Sequence, residues 1–186
     1  MTYFIRNMVC KRCVMAVRQL FSELGYPPVS ISLGEVDTAT PLTETELKKL
    51  KEALVNYGFE LIDDTKSQLI EKIKNIIVHL VHYSNEELKV NYSNYIEAHL
   101  NRDYAYLSAL FSEVEGSTIE KYIIHQKIEK VKELLVYDEL TLSEIAIKMG
   151  YSNVAYLSSQ FKKVTGLTTS HFKQVRENKR KPLDEI

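Results

Sequence analysis

Two residues have the type and spacing for chemistry at once. Cys10 and Cys13 stand three apart in Met8-Val9-Cys10-Lys11-Arg12-Cys13, and the chain has no other cysteine. The thiolate is the nucleophilic and metal-binding form, and nearby cations or a helix N-terminus favour it. Lys11 and Arg12 supply the cations. Two thiolates so placed suit a soft, low-coordinate ion such as Cu(I). The same pair equally fits a redox couple, half of a zinc site, or two idle thiols. His79 and His82, three apart on a helical pattern, could add two nitrogens for tetrahedral zinc, although nothing in the sequence brings them to the dithiol. His99, His125 and His171 are isolated.

A second feature is an internal repeat. Shifted by fifty positions, residues 91–122 align with 141–172 and share nine identities. Ala105-Tyr106-Leu107-Ser108 falls on Ala155-Tyr156-Leu157-Ser158, and Phe111, Val114, Gly116 and Thr118 fall on Phe161, Val164, Gly166 and Thr168. Each copy reads as a short helix, a turn and a second helix ending at Gly. In the first, 92–100 leads through Asn101-Arg102 to Asp103, a cap for 104–114. In the second, 142–149 leads through Gly150-Tyr151-Ser152 to Asn153, a cap for 154–164. Between them, 117–137 is one helical pattern of about 30 Å at 1.5 Å per residue. Successive major-groove faces of duplex DNA lie about 34 Å apart.

The elements around these residues fall into two groups. Residues 3–8, 29–33 and 59–62 read as strands, and 13–24 and the run after the Thr43-xx-Glu46 capping box as helices. Glu35-Val36 is expected to be only a remnant of a further strand. From Lys66 onward no strand is expected, and Leu69, Ile73, Ile76, Ile77, Leu80 and Val81 form one helical stripe. Further capping boxes are Ser84-xx-Glu87, Ser117-xx-Glu120 and Thr141-xx-Glu144. The expected class is α+β, with domain 1–64 followed by an all-α domain 65–186.

Composition agrees with this. The 186 residues include 6 Gly and 4 Pro, few for a turn-rich strand protein, and 26% charged residues at a net charge of −1. Positive charge is local. Between 154 and 181 stand Lys162, Lys163, Lys173, Arg176, Lys179, Arg180 and Lys181 against Glu177 alone. No apolar stretch approaches the roughly 20 residues of a membrane span, and residues 1–6 lack the order of a signal peptide. A soluble cytoplasmic protein without membrane partners is expected.

Ile145-Ala146-xxx-Gly150-Tyr151-Ser152-Asn153-xx-Tyr156-Leu157-xxx-Phe161-Lys162-Lys163-xx-Gly166 resembles the second helix-turn-helix of the AraC/XylS transcription regulators. The likeness extends over about 69–176. It implies sequence-specific binding of double-stranded DNA, with the transcription machinery as a further partner. Thr169 stands where that family usually has Pro. The resemblance places Tyr104, Ala105, Ser108 and Ala109 of one unit, and Val154, Ala155, Ser158 and Ser159 of the other, toward DNA. Arg102, Asn153, Lys162 and Lys163 join them, the lysines on phosphates. Small side chains cannot make bidentate contacts to guanine, so readout through thymine methyls, hydroxyls and DNA shape is expected.

Met-x-Cys-xx-Cys after a first strand resembles the heavy-metal-associated domain of copper chaperones and copper-transporting ATPases, over about 3–64. Asn7 replaces the Gly usual before the Met. The resemblance implies a ferredoxin-like sheet, here truncated at the hairpin between its second and third strands, and Cys10 and Cys13 as metal ligands. Met8 reads as a core residue under the loop.

Together these readings describe a metal-responsive DNA-binding regulator with Cu(I) or a similar soft ion as ligand, zinc being the other candidate. The alternative is a metallochaperone or thiol-redox protein whose helical half docks a protein partner. No Gly-rich phosphate loop, Gly-flanked nucleophile or catalytic acid pair points to an enzyme. The sequence holds no signal for the number of copies in the assembly.

Overall fold

The computed structural model describes residues 1–84 and 91–175. The chain divides into two compact units, Met1–Ile76 and Ile77–Ile186. The division falls after Ile76, whereas the sequence placed it after Asp64.

The first unit runs β1 (Thr2–Arg6), α1 (Lys11–Glu23), β2 (Pro28–Ser32), β3 (Glu35–Thr38), α2 (Glu44–Asn56), β4 (Glu60–Ile62) and the start of α3 (Thr65–Val78). The sheet order is β2-β3-β1-β4, and every neighbouring pair is antiparallel. Alternation along β1 turns Tyr3 and Ile5 inward. They meet Val17, Leu20 and Phe21 of α1, Leu50 and Leu54 of α2, and Val36 of β3 in one core. Thr43 and Glu46 close the expected capping box at the start of α2.

One expectation fails here. Glu35-Val36 is no remnant, because Glu35–Thr38 forms a full strand paired on both sides. Asp disfavours strands, and only Val36 is apolar in Glu-Val-Asp-Thr. The deficit is met by cross-strand bonds. The Thr2 and Ser30 hydroxyls donate to the Asp37 carboxylate at 2.6 and 2.5 Å, and they hold its pKa below the usual range. The two-residue turn Leu33-Gly34 sets the hairpin. Gly34 has φ +76°, and a Cβ there would stand 2.1 Å from the Asn75 amide of α3. The left-handed conformation favours glycine, and a side chain there would also displace the Asn75 amide. On the same helix, Lys72 reaches the Glu35 carboxylate at 3.3 Å and covers the Phe4 ring at 4.8 Å.

The described part of the second unit contains no strand. A π-helical turn, His79–Tyr83, ends the stripe read as one helix to Val81, with the Ser84 N–H donating to the His79 carbonyl at 2.9 Å. Then come α4 (Tyr92–Leu100), α5 (Tyr104–Glu115), α6 (Ile119–Tyr137), α7 (Leu142–Lys148), α8 (Val154–Thr165) and α9 (Thr169–Val175). Capping follows the repeat. Asp103 accepts from the Tyr106 N–H and Asn153 from the Tyr156 N–H, while Gly116 and Gly166 end both helices in the left-handed region. Thr141 and Glu144 form the expected box. Ser117 does not cap α6; Thr118 does, accepting from the Lys121 N–H, as Thr168 accepts from His171 fifty residues on. The Ser84-xx-Glu87 box extends beyond the described residues.

Asp103→Ala and Asn153→Ala should each lower unfolding stability by about 1 kcal/mol, the ordinary worth of a helix cap. Asp103→Asn should cost much less. Urea denaturation followed by circular dichroism checks both.

Candidate functional sites

The dithiol sits where β1 hands over to α1. Asn7 has φ +71°, a left-handed conformation that Asn tolerates better than other non-glycine residues, and its amide donates to the Gly58 carbonyl at 3.0 Å. This accounts for Asn where the motif usually carries Gly. Met8 is wholly buried in the core. Cys10 is the N-cap of α1, its sulfur accepting from the Cys13 N–H. The two sulfurs stand 3.2 Å apart, half-buried and unbonded covalently.

The thiols differ in acidity. Burial alone would raise the Cys10 pKa. The hydrogen bonds from the Cys13 thiol and the Cys13 and Arg12 N–H groups, with the Arg12 charge, outweigh burial and lower it. Burial raises that of Cys13, and its bond to Cys10 raises it further. The thiolate form is thus favoured at Cys10 over Cys13. Lys11 and Arg12 occupy the first turn of α1, which holds no acid. Cations there oppose the helix dipole, a local cost that a negative charge on the loop would offset.

His82 accompanies another partner. Its Nε2 lies 2.8 Å from Gln126 Oε1 on α6, and the Gln126 amide donates to the Tyr122 hydroxyl at 3.0 Å. Among the described residues no group of three or more His, Cys, Asp or Glu is gathered to hold a metal.

In the second unit α4–α5 and α7–α8 are the two helix-turn-helix units. Leu107 and Phe111 of α5 point inward, as do Leu157 and Phe161 of α8. Even the ring pairs repeat. Phe111 meets Tyr122 with centroids 5.7 Å apart, and Phe161 meets Phe172 at 5.5 Å. Burial of the outward positions matches copy for copy. Ala105, Ala109, Ala155 and Ser159 are exposed, and Tyr104, Ser108, Val154 and Ser158 are half-buried.

Some predicted contact residues are already engaged. The Tyr104 hydroxyl donates to Glu120 Oε1 at 2.8 Å, and Asn153 spends its side-chain oxygen on the cap. Arg102 is exposed in the first turn. Lys162 and Lys163 are exposed on α8, with no ion-pair partner among the described residues. Lys173 pairs with Asp138. Arg176, Lys179, Arg180 and Lys181 lie outside the described residues.

Sequence reasoning missed Tyr106 and Tyr156. They are 52% and 54% exposed at equivalent positions of α5 and α8. The signal was their identity within the repeat; Tyr156 also packs edge-on against the Tyr151 ring, with centroids 5.8 Å apart.

This architecture defines the second unit as a helix-turn-helix domain. Residues 96–174 match the helix-turn-helix domain family. Over 65 residues the chain is 32% identical to the bifunctional transcriptional activator/DNA repair enzyme AdaA of Bacillus subtilis (strain 168), which is 35% of this chain and 31% of AdaA. Over 71 residues it is 35% identical to the transcriptional regulatory protein YesN of the same organism, 37% of this chain and 19% of YesN. The chain spans less than a third of the length of these relatives. The C-terminal domain of AraT, a response regulator from Geobacillus stearothermophilus, superposes with a TM-score of 0.51 at 25% identity, covering 63% of this chain and 95% of that domain. No helix among the described residues is long and apolar enough to cross a membrane.

Cys10→Ala should destabilise the first unit by about 1 kcal/mol through loss of the cap, whereas Cys10→Ser, which keeps a capping oxygen, should stay within a few tenths of wild type. Chemical denaturation of the two variants under reducing conditions tests this.

Proposed function

We propose that the chain is a DNA-binding transcription regulator of the AraC type whose dithiol unit answers to a soft metal ion such as Cu(I). The observation that carries the DNA half is the duplicated helix-turn-helix. Two capped helices of identical length, α5 and α8, are joined through the 19-residue α6. At 1.5 Å per residue α6 is about 28 Å long, close to the groove repeat of about 34 Å. Exposed Lys162 and Lys163 supply phosphate contacts, and the small side chains of α5 and α8 read methyl groups and groove shape. The matches to helix-turn-helix regulators support the same reading. The transcription machinery is the natural further partner and the cytoplasm the natural compartment. We read the chain as a regulator and not an enzyme.

The dithiol half rests on donor chemistry. Two sulfurs 3.2 Å apart at a helix start fit an ion content with few ligands. The split order β-α-β-β-α-β, with its central strands β1 and β3, supports the resemblance to a ferredoxin-like heavy-metal-associated domain. Bound Cu(I) would be held by Cys10 and Cys13. Zinc would need two further donors.

Duplex binding is tested by gel shift of the full chain on genomic fragments at two salt concentrations. Binding that prefers some fragments and falls steeply with salt is the expected result. Lys162→Ala with Lys163→Ala should weaken all sequences alike and flatten the salt slope by roughly 2, about 0.9 per phosphate contact. Metal response is tested by operator affinity with and without one equivalent of Cu(I), for wild type and for Cys10→Ser with Cys13→Ser. A change of about 5- to 150-fold confined to the metal-loaded wild type is expected, the range of ordinary allosteric coupling. Equal affinity in all four samples refutes metal response and leaves DNA binding standing.

A further inference from the structure

Between the two helix-turn-helix units lies an open cleft of about 340 Å³, with Lys127 of α6 in its wall. The Lys127 ammonium donates to the Met149 carbonyl at 2.8 Å, beyond the end of α7. It also stands 5.3 Å from the ring centroids of Tyr92 and Tyr151, one from each unit. An ammonium has three N–H bonds, and among the described residues it meets one oxygen acceptor and no carboxylate. Burial holds its pKa below the usual lysine value, as expected for a cation not balanced by a counter-charge.

Two other groups in the cleft offer donors. The Tyr92 hydroxyl has no hydrogen-bond partner among the described residues, and burial pushes its pKa up to about 12, so it stays protonated. Gln160 accepts from the Tyr151 hydroxyl at 2.6 Å through its oxygen, which leaves its amide N–H bonds free for a ligand. The one carboxylate in the wall, Glu120, accepts from the Tyr104 hydroxyl through Oε1 and keeps its charge, but it forms no ion pair with Lys127. A half-buried cation with unspent donors beside it, and no carboxylate within ion-pair distance among the described residues, describes an anion site.

The position tells which anion. Lys127 is near the middle of α6, and the cleft is bounded by Tyr104 at the start of α5 and by Tyr156 on α8. A duplex that offers adjacent major grooves to α5 and α8 turns the intervening minor groove, with a phosphate strand on either edge, toward that midpoint. We propose that the cleft takes a backbone phosphate of duplex DNA, with Lys127, Tyr92 and Gln160 as its donors. This rests on the DNA reading above and adds a contact midway between the two recognition helices.

The test uses the full chain and a labelled duplex of about 30 base pairs, followed by fluorescence anisotropy from 50 to 200 mM salt. Lys127→Gln should lower the slope of log affinity against log salt by about 0.9, the share of one phosphate, and Lys127→Arg should restore it. A Lys127→Gln slope equal to wild type overturns the proposal, even if affinity falls through loss of the Met149 tether. Should Lys127→Gln fail to fold, the wild type decides. The NMR signal of the Lys127 ε-methylene should move when duplex is added, and a signal that ignores bound duplex overturns the proposal. Inorganic phosphate is the control arm. A shift with phosphate alone, and none with duplex, assigns the cleft to a small phosphorylated ligand and overturns the DNA contact. A wild type that binds no duplex at all, at any salt, refutes the DNA reading itself.

Discussion

Helix α6 is asked to be the inner wall of two units at once. A helix on a protein surface buries one stripe, but α6 buries Ile119, Tyr122, Ile123, Gln126, Ile128, Glu129, Val131, Lys132 and Leu135, positions that go most of the way round its axis. Helices α5, α7, α8 and α9 and the π-helical turn all pack on it. Burying so much of one helix brings polar groups inside, and each is answered. Glu129 and Lys132 pair with each other at 2.5 Å, and Gln126 is held between Tyr122 and His82. Such pairs add little net stability, but removing one partner alone would strand a buried charge. Since both helix-turn-helix units rest on this one rod, its length and the phase of its faces fix their separation.

The two units share a skeleton and differ in chemistry. Caps, terminal glycines and the Phe–aromatic pair recur fifty residues apart, and each is a local requirement of the same turn and the same packing. Side chains outside those requirements have diverged. Glu113 and Glu115 of α5 correspond to Lys163 and Thr165 of α8. One copy therefore carries a basic side chain where the other carries an acidic one.

What could be read from residue order alone follows the range of the forces involved. Asp103, Asn153, Thr43 and Thr141 act within three residues, and the elements they begin lie where pattern placed them. Strand β3 depends on Thr2 of β1, opposite Asp37 in the sheet but thirty-five residues from it in the chain, and no local pattern records that bond. The cap of α6 slipped from Ser117 to Thr118 because adjacent hydroxyls are equivalent until the packing of Ile119 chooses between them. In the candidate sites, Cys10 and Cys13 were visible from spacing. Lys127 was not, since a lysine four residues from Ile123 and Val131 reads as a flaw in an apolar stripe.

The first turn of α1 is fastened by a sulfur. A serine or aspartate in the same place would have only a structural duty, but the Cys10 sulfur that holds the Cys13 amide is also one of the two most reactive atoms in the chain. Whatever takes an electron pair from that sulfur, whether metal, alkylating agent or oxidant, weakens its hold on the amide. Fraying at the head of α1 and occupancy of the loop thus both draw on the electron density of one sulfur. The exchange rate of a single backbone proton, that of Cys13, becomes a native gauge of what the loop has bound.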